Sequence, residues 1–206
     1  MLATRNAGKL REIRQELGAL PVCVVGIEET PDIPEPAETG ATCAENARAK
    51  ALYYARQTGR WCLADDSGLV VDALDGAPGV HSARYAAERF GPDDDRAARD
   101  AINVSKLLAA LADVPDPDRT GRFVCHLALA AGGDVLIETA GTLEGLIARA
   151  PRGCNGFGYD PVFLVPQAQR TAAEMAPEEK NAISHRGQAV REFSRLLRDL
   201  LARAGT

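Results

Sequence analysis

Two β-rich runs, Phe123 to Ala131 and Val135 to Leu143, are separated only by Gly132-Gly133-Asp134. So short and glycine-rich a gap reads as a hairpin, which places an antiparallel strand pair in the middle of the chain. A sheet built on that pair must be covered, and helical periodicity elsewhere supplies the cover. Leu10, Ile13 and Leu17 share one face of a helix that follows a polar turn. Val190, Phe193, Leu197, Leu200 and Leu201 line a final helix that Ser184 can cap. Thr42 and Glu45 form a T-x-x-E capping box for an Ala-rich helix that stops at Gly59, and Asp93 to Leu111 reads as another helix. Met1 to Ala3 and Pro21 to Val25 read as strands, as do Trp61 to Ala64 and Leu69 to Leu74 on either side of Asp65-Asp66-Ser67-Gly68. Gly26 to Gly40 reads as a loop, and a Gly-rich loop, Gly153 to Pro161, precedes a short strand, Val162 to Val165. With no linker and no repeat, one α/β domain over residues 1–206 with an internal cleft is expected.

Composition limits what such a domain can do. The chain has 206 residues, enough to bury roughly 70% of its unfolded surface without a metal or disulfide staple. Its 24 basic residues, 20 Arg and only 4 Lys, face 29 acidic ones, for a net charge of −5. That balance argues against general binding to nucleic acid or an anionic membrane, so a polyanionic ligand has to be met by a local basic cluster. Cys23, Cys43, Cys62, Cys125 and Cys154 are odd in number and contain no C-x-x-C pair. They read as reduced, mostly buried thiols of a cytoplasmic protein. No apolar run approaches the roughly 18 residues needed to span a bilayer.

Four motifs could carry chemistry. Thr4-Arg5-Asn6-Ala7-Gly8-Lys9 sits where a strand turns into a helix. Backbone NH groups, a hydroxyl, an amide and an ammonium there suit a phosphate, although an ordinary strand-to-helix turn would look the same. It is no Walker A loop, because Ala3 replaces the first Gly and Leu10 stands where Ser or Thr is required. Asp65-Asp66-Ser67-Gly68 places two carboxylates side by side, and in extended chain they point opposite ways. One can hold a divalent cation while the other braces the turn, and Glu38 of Glu38-Thr39-Gly40 offers a second magnesium ligand to pair with Asp66. Asp-Asp-Ser-Gly equally reads as a plain turn.

Gly153-Cys154-Asn155-Gly156-Phe157-Gly158-Tyr159-Asp160-Pro161 fails the dinucleotide fingerprint. Phe157 between two glycines could present its ring to a base, or it could be tucked into the core. Lys180-Asn181-Ala182-Ile183-Ser184-His185-Arg186 puts a Lys, a cap and a His-Arg pair at a helix entrance. His81 and His126 have no partners at zinc-ligand spacing. Three of the four lysines, Lys9, Lys50 and Lys180, lie in or beside these motifs, leaving only Lys106 on an unremarked helix. A compact ammonium meets phosphate differently from a planar guanidinium, so those three positions are expected to resist Arg.

Taken in order, the motifs resemble the inosine triphosphatase, or Ham1-like, family. The resemblance runs through Ala3-Thr4-Arg5-Asn6 with Lys9, Glu38-Thr39-Gly40, Glu45-Asn46-Ala47 with Lys50, and Ala64 to Leu69. It continues through Gly76-Ala77-Pro78-Gly79, Ser82-Ala83-Arg84-Tyr85, Gly156 to Pro161, and Lys180 with Ser184-His185-Arg186-Gly187. It implies an elongated mixed β-sheet flanked by helices, with two lobes around a central active-site cleft, and usually a homodimer. It also implies Mg2+-dependent hydrolysis of ITP, dITP and XTP to the monophosphate and pyrophosphate. In that scheme Thr4 to Lys9 cradle phosphates, Glu38 and Asp66 serve the metal, and Asp66 takes the proton of the attacking water. Ser67 and Lys50 contact substrate, Phe157, Gly158, Tyr159 and Asp160 hold base and ribose, and Lys180, His185 and Arg186 close around the nucleotide. A pyrophosphatase for pyrimidine or modified triphosphates and a catalytically silent nucleotide-binding protein are the alternatives. The chain departs from the family in two places. Only Met1 to Ala3 stand where relatives have a longer first strand, which implies fraying there, and Cys43 replaces a common aromatic.

Overall fold

The structure is a computed structural model that describes every residue except Ala19, Pro31, Gly205 and Thr206; the side chains of Ala7 and Ala204 also lie outside the description. Among the described residues, five α-helices, α1 (Ala7–Leu17), α2 (Cys43–Thr58), α3 (Arg96–Ala110), α4 (Pro177–Ile183) and α5 (His185–Ala204), accompany five strands. These are β1 (Cys62–Val71), β2 (Thr120–Ala131), β3 (Asp134–Ile147), β4 (Phe163–Val165) and β5 (Arg170–Thr171), joined in the order β1-β2-β3-β4-β5. β4 runs antiparallel to both neighbours, pairing Leu146 with Leu164 and Leu164 with Thr171.

The chain divides into two compact units. The first takes Met1–Ser67, Cys125–Gly141 and Ser184–Thr206; the second takes Gly68–Val124 and Thr142–Ile183. Neither is contiguous in sequence, so no linker marks a boundary between them. In the first unit, Ile13 and Leu17 of α1 pack with Leu127 and Leu129 of β2 and with Val190, Phe193 and Leu197 of α5. A second cluster there sets Ala47, Ala51, Tyr54 and Ala55 of α2 against Cys62, Ala64, Ala128 and Ala130. The small residues let the helix lie close on the strands. In the second unit Leu69, Leu107, Leu111, Phe123, Val162 and Phe163 form the core.

The helical faces predicted for α1 and α5 are therefore the buried faces. The hairpin is present too, with Gly132 at φ 59 at the tip. Four expectations need correction. Met1 to Ala3 form no strand: Leu2 makes only isolated parallel bridges, to Gly26 and Leu63. Pro21 to Val25 form none either, although Val25 O accepts from Leu2 N at 2.8 Å. The strands expected on either side of Asp65-Asp66-Ser67-Gly68 are one continuous β1, because tertiary charge partners stabilise an extended acidic segment. The capping box on α2 is only half made: Thr42 Oγ1 accepts from Glu45 N at 3.2 Å, but Glu45 reaches Ala41 N at 2.8 Å rather than Thr42 N. Gly59 ends α2 in the left-handed region, where a side chain would be strained.

Candidate active site

In the first unit the turn from Thr4 to Lys9 caps α1. Asn6 stands at the N-cap, its Oδ1 accepting from Gly8 N at 2.9 Å and Lys9 N at 3.3 Å, while Thr4 Oγ1 accepts from Asn6 N at 3.2 Å. The NH groups expected to await a phosphate at Gly8 and Lys9 are thus already bonded, a departure that follows from the N-cap preference of Asn. Arg5 is exposed, and Ala7 opens the helix.

Lys9 crosses to β1, where its Nζ pairs with Asp65. The Asp65 side chain is wholly buried and receives Arg186 Nε at 2.9 Å, Ser67 Oγ at 3.0 Å and Cys125 Sγ at 3.3 Å. Burial by itself raises a carboxyl pKa, but the charges of Lys9 and Arg186 outweigh it and hold Asp65 well below the ordinary range. Arg186, the second residue of α5, also donates to Glu12 at 2.5 Å and to Ser67 Oγ at 3.3 Å. Burial opposes its charge, yet Asp65 raises its pKa above the usual value. Two residues expected to touch substrate, Lys9 and Arg186, are therefore both bound to Asp65, which braces no turn, as one of the two carboxylates was expected to, but ties α1 and α5 to a strand.

Asp66 points the other way, as strand alternation requires. Its Oδ2 accepts from Asn46 Nδ2 of α2 at 3.3 Å. Burial, reinforced by the charge of Glu38, raises its pKa against the opposing pull of Lys9 and Lys50. The neighbouring Cys43 thiol is pushed up to about 12, first by burial and then by the charge of Asp66. Lys50, one turn beyond Asn46, donates to Glu38 Oε1 at 2.6 Å; burial works against its charge, but the bond and charge of Glu38 raise its pKa overall. The fold thus brings Glu38, Lys50 and Asp66 into electrostatic reach of one another within one unit.

Magnesium fits this donor set. Both carboxylates are hard oxygen donors, and two, completed by phosphate and water, are what magnesium usually takes from a protein. Among the described residues no cluster of three or more His, Cys, Asp or Glu forms a closed metal cage. Burial first and the charge of Glu38 after it disfavour a second negative charge at Asp66, and a bound cation would offset both.

His185 begins α5 and is buried, and Ser184 caps the helix by accepting from Gly187 N at 3.0 Å. The start of that helix lies so close to β3 that a Cβ at Gly141 would collide with the His185 carbonyl.

The second unit holds the remaining expected residues. Gly153, Gly156 and Gly158 adopt φ of 81, 78 and 63, turning the loop through conformations that side chains resist. Asp160 is buried and accepts from Phe157 N at 2.9 Å and Lys180 Nζ at 2.6 Å. Lys180 Nζ lies 5.0 Å from the centroid of the Phe157 ring, a cation–π distance. Gly158 N donates to Asp100 of α3 at 2.8 Å, and Tyr159 OH donates to Ser82 O at 2.9 Å. Tyr159 is buried in this unit's core, so Phe157 and Gly158 are the more accessible of the four.

Sequence reasoning passed over Asn46, Glu12 and Asp100, whose partners lie 20, 174 and 58 residues away. Only the Glu45-Asn46-Ala47 segment carried a hint, as part of a motif without a role.

A profile of the Ham1 family matches residues 1–196. The chain is 48% identical to a dITP/XTP pyrophosphatase of Geobacillus kaustophilus across 100% of this chain and 97% of the relative. It is 50% identical to a dITP/XTP pyrophosphatase of Geobacter sulfurreducens over 92% of each. Among solved structures, a HAM1 protein from Coxiella burnetii superposes with a TM-score of 0.85 at 47% identity, over 96% of this chain and 97% of that one. Matched from the Thr4–Lys9 turn through the Arg186 helix, in sequence and in fold, the chain belongs to the Ham1 family.

Proposed function

We propose that this chain is a nucleoside triphosphate pyrophosphatase that hydrolyses dITP, ITP and XTP to the monophosphate and pyrophosphate with Mg2+. The gathering of Asp66 and Glu38 along one face of α2, through Asn46 and Lys50, carries the reading, and the activity named for the relatives supports it. Of the two adjacent aspartates, Asp65 is held ionised by two cations and cannot readily take a proton. Asp66, with its proton affinity raised, is the group suited to accept one from the attacking water. Bound between Glu38, Asp66 and the phosphates, Mg2+ would neutralise charge on the triphosphate. Thr4, Asn6, Lys9, Lys50, Ser67, His185 and Arg186 bind and orient that triphosphate, which is most of what phosphoryl chemistry asks of a protein. Each charged hydrogen bond contributes roughly 1.5–3 kcal/mol.

Phe157 stacks the base, and Gly158, Tyr159 and Asp160 of its loop, with Lys180 of α4, recognise it. Donors facing the 6-oxygen of hypoxanthine or xanthine would meet the amino group of adenine as an opposed donor, a mismatch able to discriminate by about 10⁴-fold. The chain acts as a cytoplasmic homodimer without nucleic acid, in keeping with its acidic balance. Among the described residues no helix is long and apolar enough to cross a membrane.

The decisive experiment is product analysis with ITP. Pyrophosphate and IMP are expected; release of orthophosphate with IDP would contradict attack at the α-phosphorus. Asp66→Asn should still bind ITP but lose roughly 10²–10⁴ in kcat, and wild-type turnover in that variant would remove Asp66 from its role. Equal rates on ITP and ATP would defeat the purine selectivity.

A further inference from the structure

Asn46 is buried on α2, and both ends of its amide are used within the first unit. Its Oδ1 accepts from Gly40 N at 2.8 Å, and its Nδ2 donates to Asp66 Oδ2 at 3.3 Å. Gly40 lies two residues beyond Glu38, and Glu38 itself is held by Lys50, one turn along the same helix face. The fit at Gly40 is close, since a Cβ there would meet Asn46 Oδ1 at 2.6 Å. One helix face thus gathers the Glu38 loop and the Asp66 strand.

We infer that Asn46 is the positioning residue that fixes Glu38 and Asp66 relative to each other, so that the two carboxylates present one divalent-cation site. This inference rests on the proposed roles of those two carboxylates. The chemistry calls for asparagine in particular. Gly40 N needs an acceptor and Asp66 needs a donor, and a side-chain amide of this length offers one of each. Aspartate would keep the acceptor, lose the donor and set a third negative charge beside Asp66 and Glu38. Alanine would leave both the Gly40 NH and the Asp66 oxygen without their partner. Groups that orient metal ligands without touching the metal typically matter by about 10–100-fold in affinity or activity.

The test measures Mn2+ binding to the nucleotide-free protein by titration calorimetry, alongside kcat and KM for ITP. Asn46→Ala should weaken Mn2+ by about tenfold or more and lower kcat with little change in KM. Asn46→Asp should separate the two readouts, keeping or tightening Mn2+ through its added charge while kcat falls by about 100-fold. A residue that merely packs the helix would not divide cation affinity from turnover in this way. Unchanged Mn2+ affinity together with kcat within threefold of wild type in Asn46→Ala overturns the inference. Should that variant fail to fold, near-wild-type kcat in Asn46→Asp overturns it equally. A wild-type protein that binds no Mn2+ sinks both this inference and the metal role of Glu38 and Asp66. Normal wild-type binding with indifferent Asn46 variants sinks the inference alone.

Discussion

In the first unit the buried charges are collected from distant parts of the chain, whereas in the second the 153–161 loop is shaped chiefly by its own backbone. Asp65 is met by Lys9 from α1 and Arg186 from α5, and Arg186 in turn holds Glu12. Each of those contacts exists only once the unit has folded. The loop around Phe157 instead turns on three glycines at positive φ and on Asp160 three residues away, with Lys180, Asp100 and the carbonyls of Ala173 and Met175 as outside supports. The charge network is built from long-range pairs, and the segment that carries the Phe157 ring rests more on local geometry.

The contrast is sharpest at the two buried aspartates. Asp65→Ala would leave Lys9 and Arg186 facing each other in the interior without their common carboxylate, a loss of about 3–5 kcal/mol. Asp160→Ala breaks a single buried pair and removes a backbone NH's acceptor, so a loss at the low end of that range, about 3 kcal/mol, is expected. Urea unfolding of the two variants decides the matter. Equal losses would show that the second unit leans on its ion pair as heavily as the first does on its network.

Much of the scaffold was legible because it is periodic. The apolar faces of α1 and α5, the glycine stop of α2 and the glycine hairpin each follow from residues within a turn or two of one another. β1 was not legible as one strand, since Asp-Asp-Ser-Gly has low strand propensity, and what supports it lies elsewhere in the chain: the pairing with β2 and a pair of cations 56 and 121 residues away. Candidate substrate contacts could be picked out by residue type, but their partners could not. Nothing near Arg186 in sequence foretells that Asp65 and Glu12 enclose it, and nothing near Asn46 foretells Asp66. What local geometry did foretell is the opposite facing of Asp65 and Asp66.

A smaller effect tests the local half of the comparison. Gly156→Ala places a Cβ at φ 78 onto the Asp160 carboxylate, so both backbone strain and a displaced Asp160 follow. Gly158→Ala has open space around its Cβ and suffers only the strain of φ 63, about 1–2 kcal/mol. The first variant should be the less stable and should also raise KM for the nucleotide more, because it moves the segment that carries Phe157. If the two are indistinguishable in melting and in KM, the loop is held by something other than the packing of Gly156 on Asp160.

The smallest effect concerns lysine itself. Sequence singled out Lys9, Lys50 and Lys180 and set Lys106 aside, yet Lys106 Nζ donates to Tyr85 O at 2.6 Å and Glu88 Oε1 at 2.8 Å and lies 4.7 Å from the Tyr85 ring centroid. What separates it from the other three is the kind of partner and the degree of burial. A carbonyl, a half-exposed carboxylate and an aromatic face can all accept a guanidinium, so Lys106→Arg should change stability by less than about 1 kcal/mol. Lys9 meets one oxygen of a wholly buried carboxylate whose other oxygen is held by Arg186, so a planar guanidinium at position 9 would find a single oxygen, already shared with Ser67, for its paired donors. Lys9→Arg should therefore cost more in both melting temperature and turnover of ITP. Equal behaviour of the two variants would mean that charge alone, and not the compactness of the ammonium, is what the Asp65 site requires.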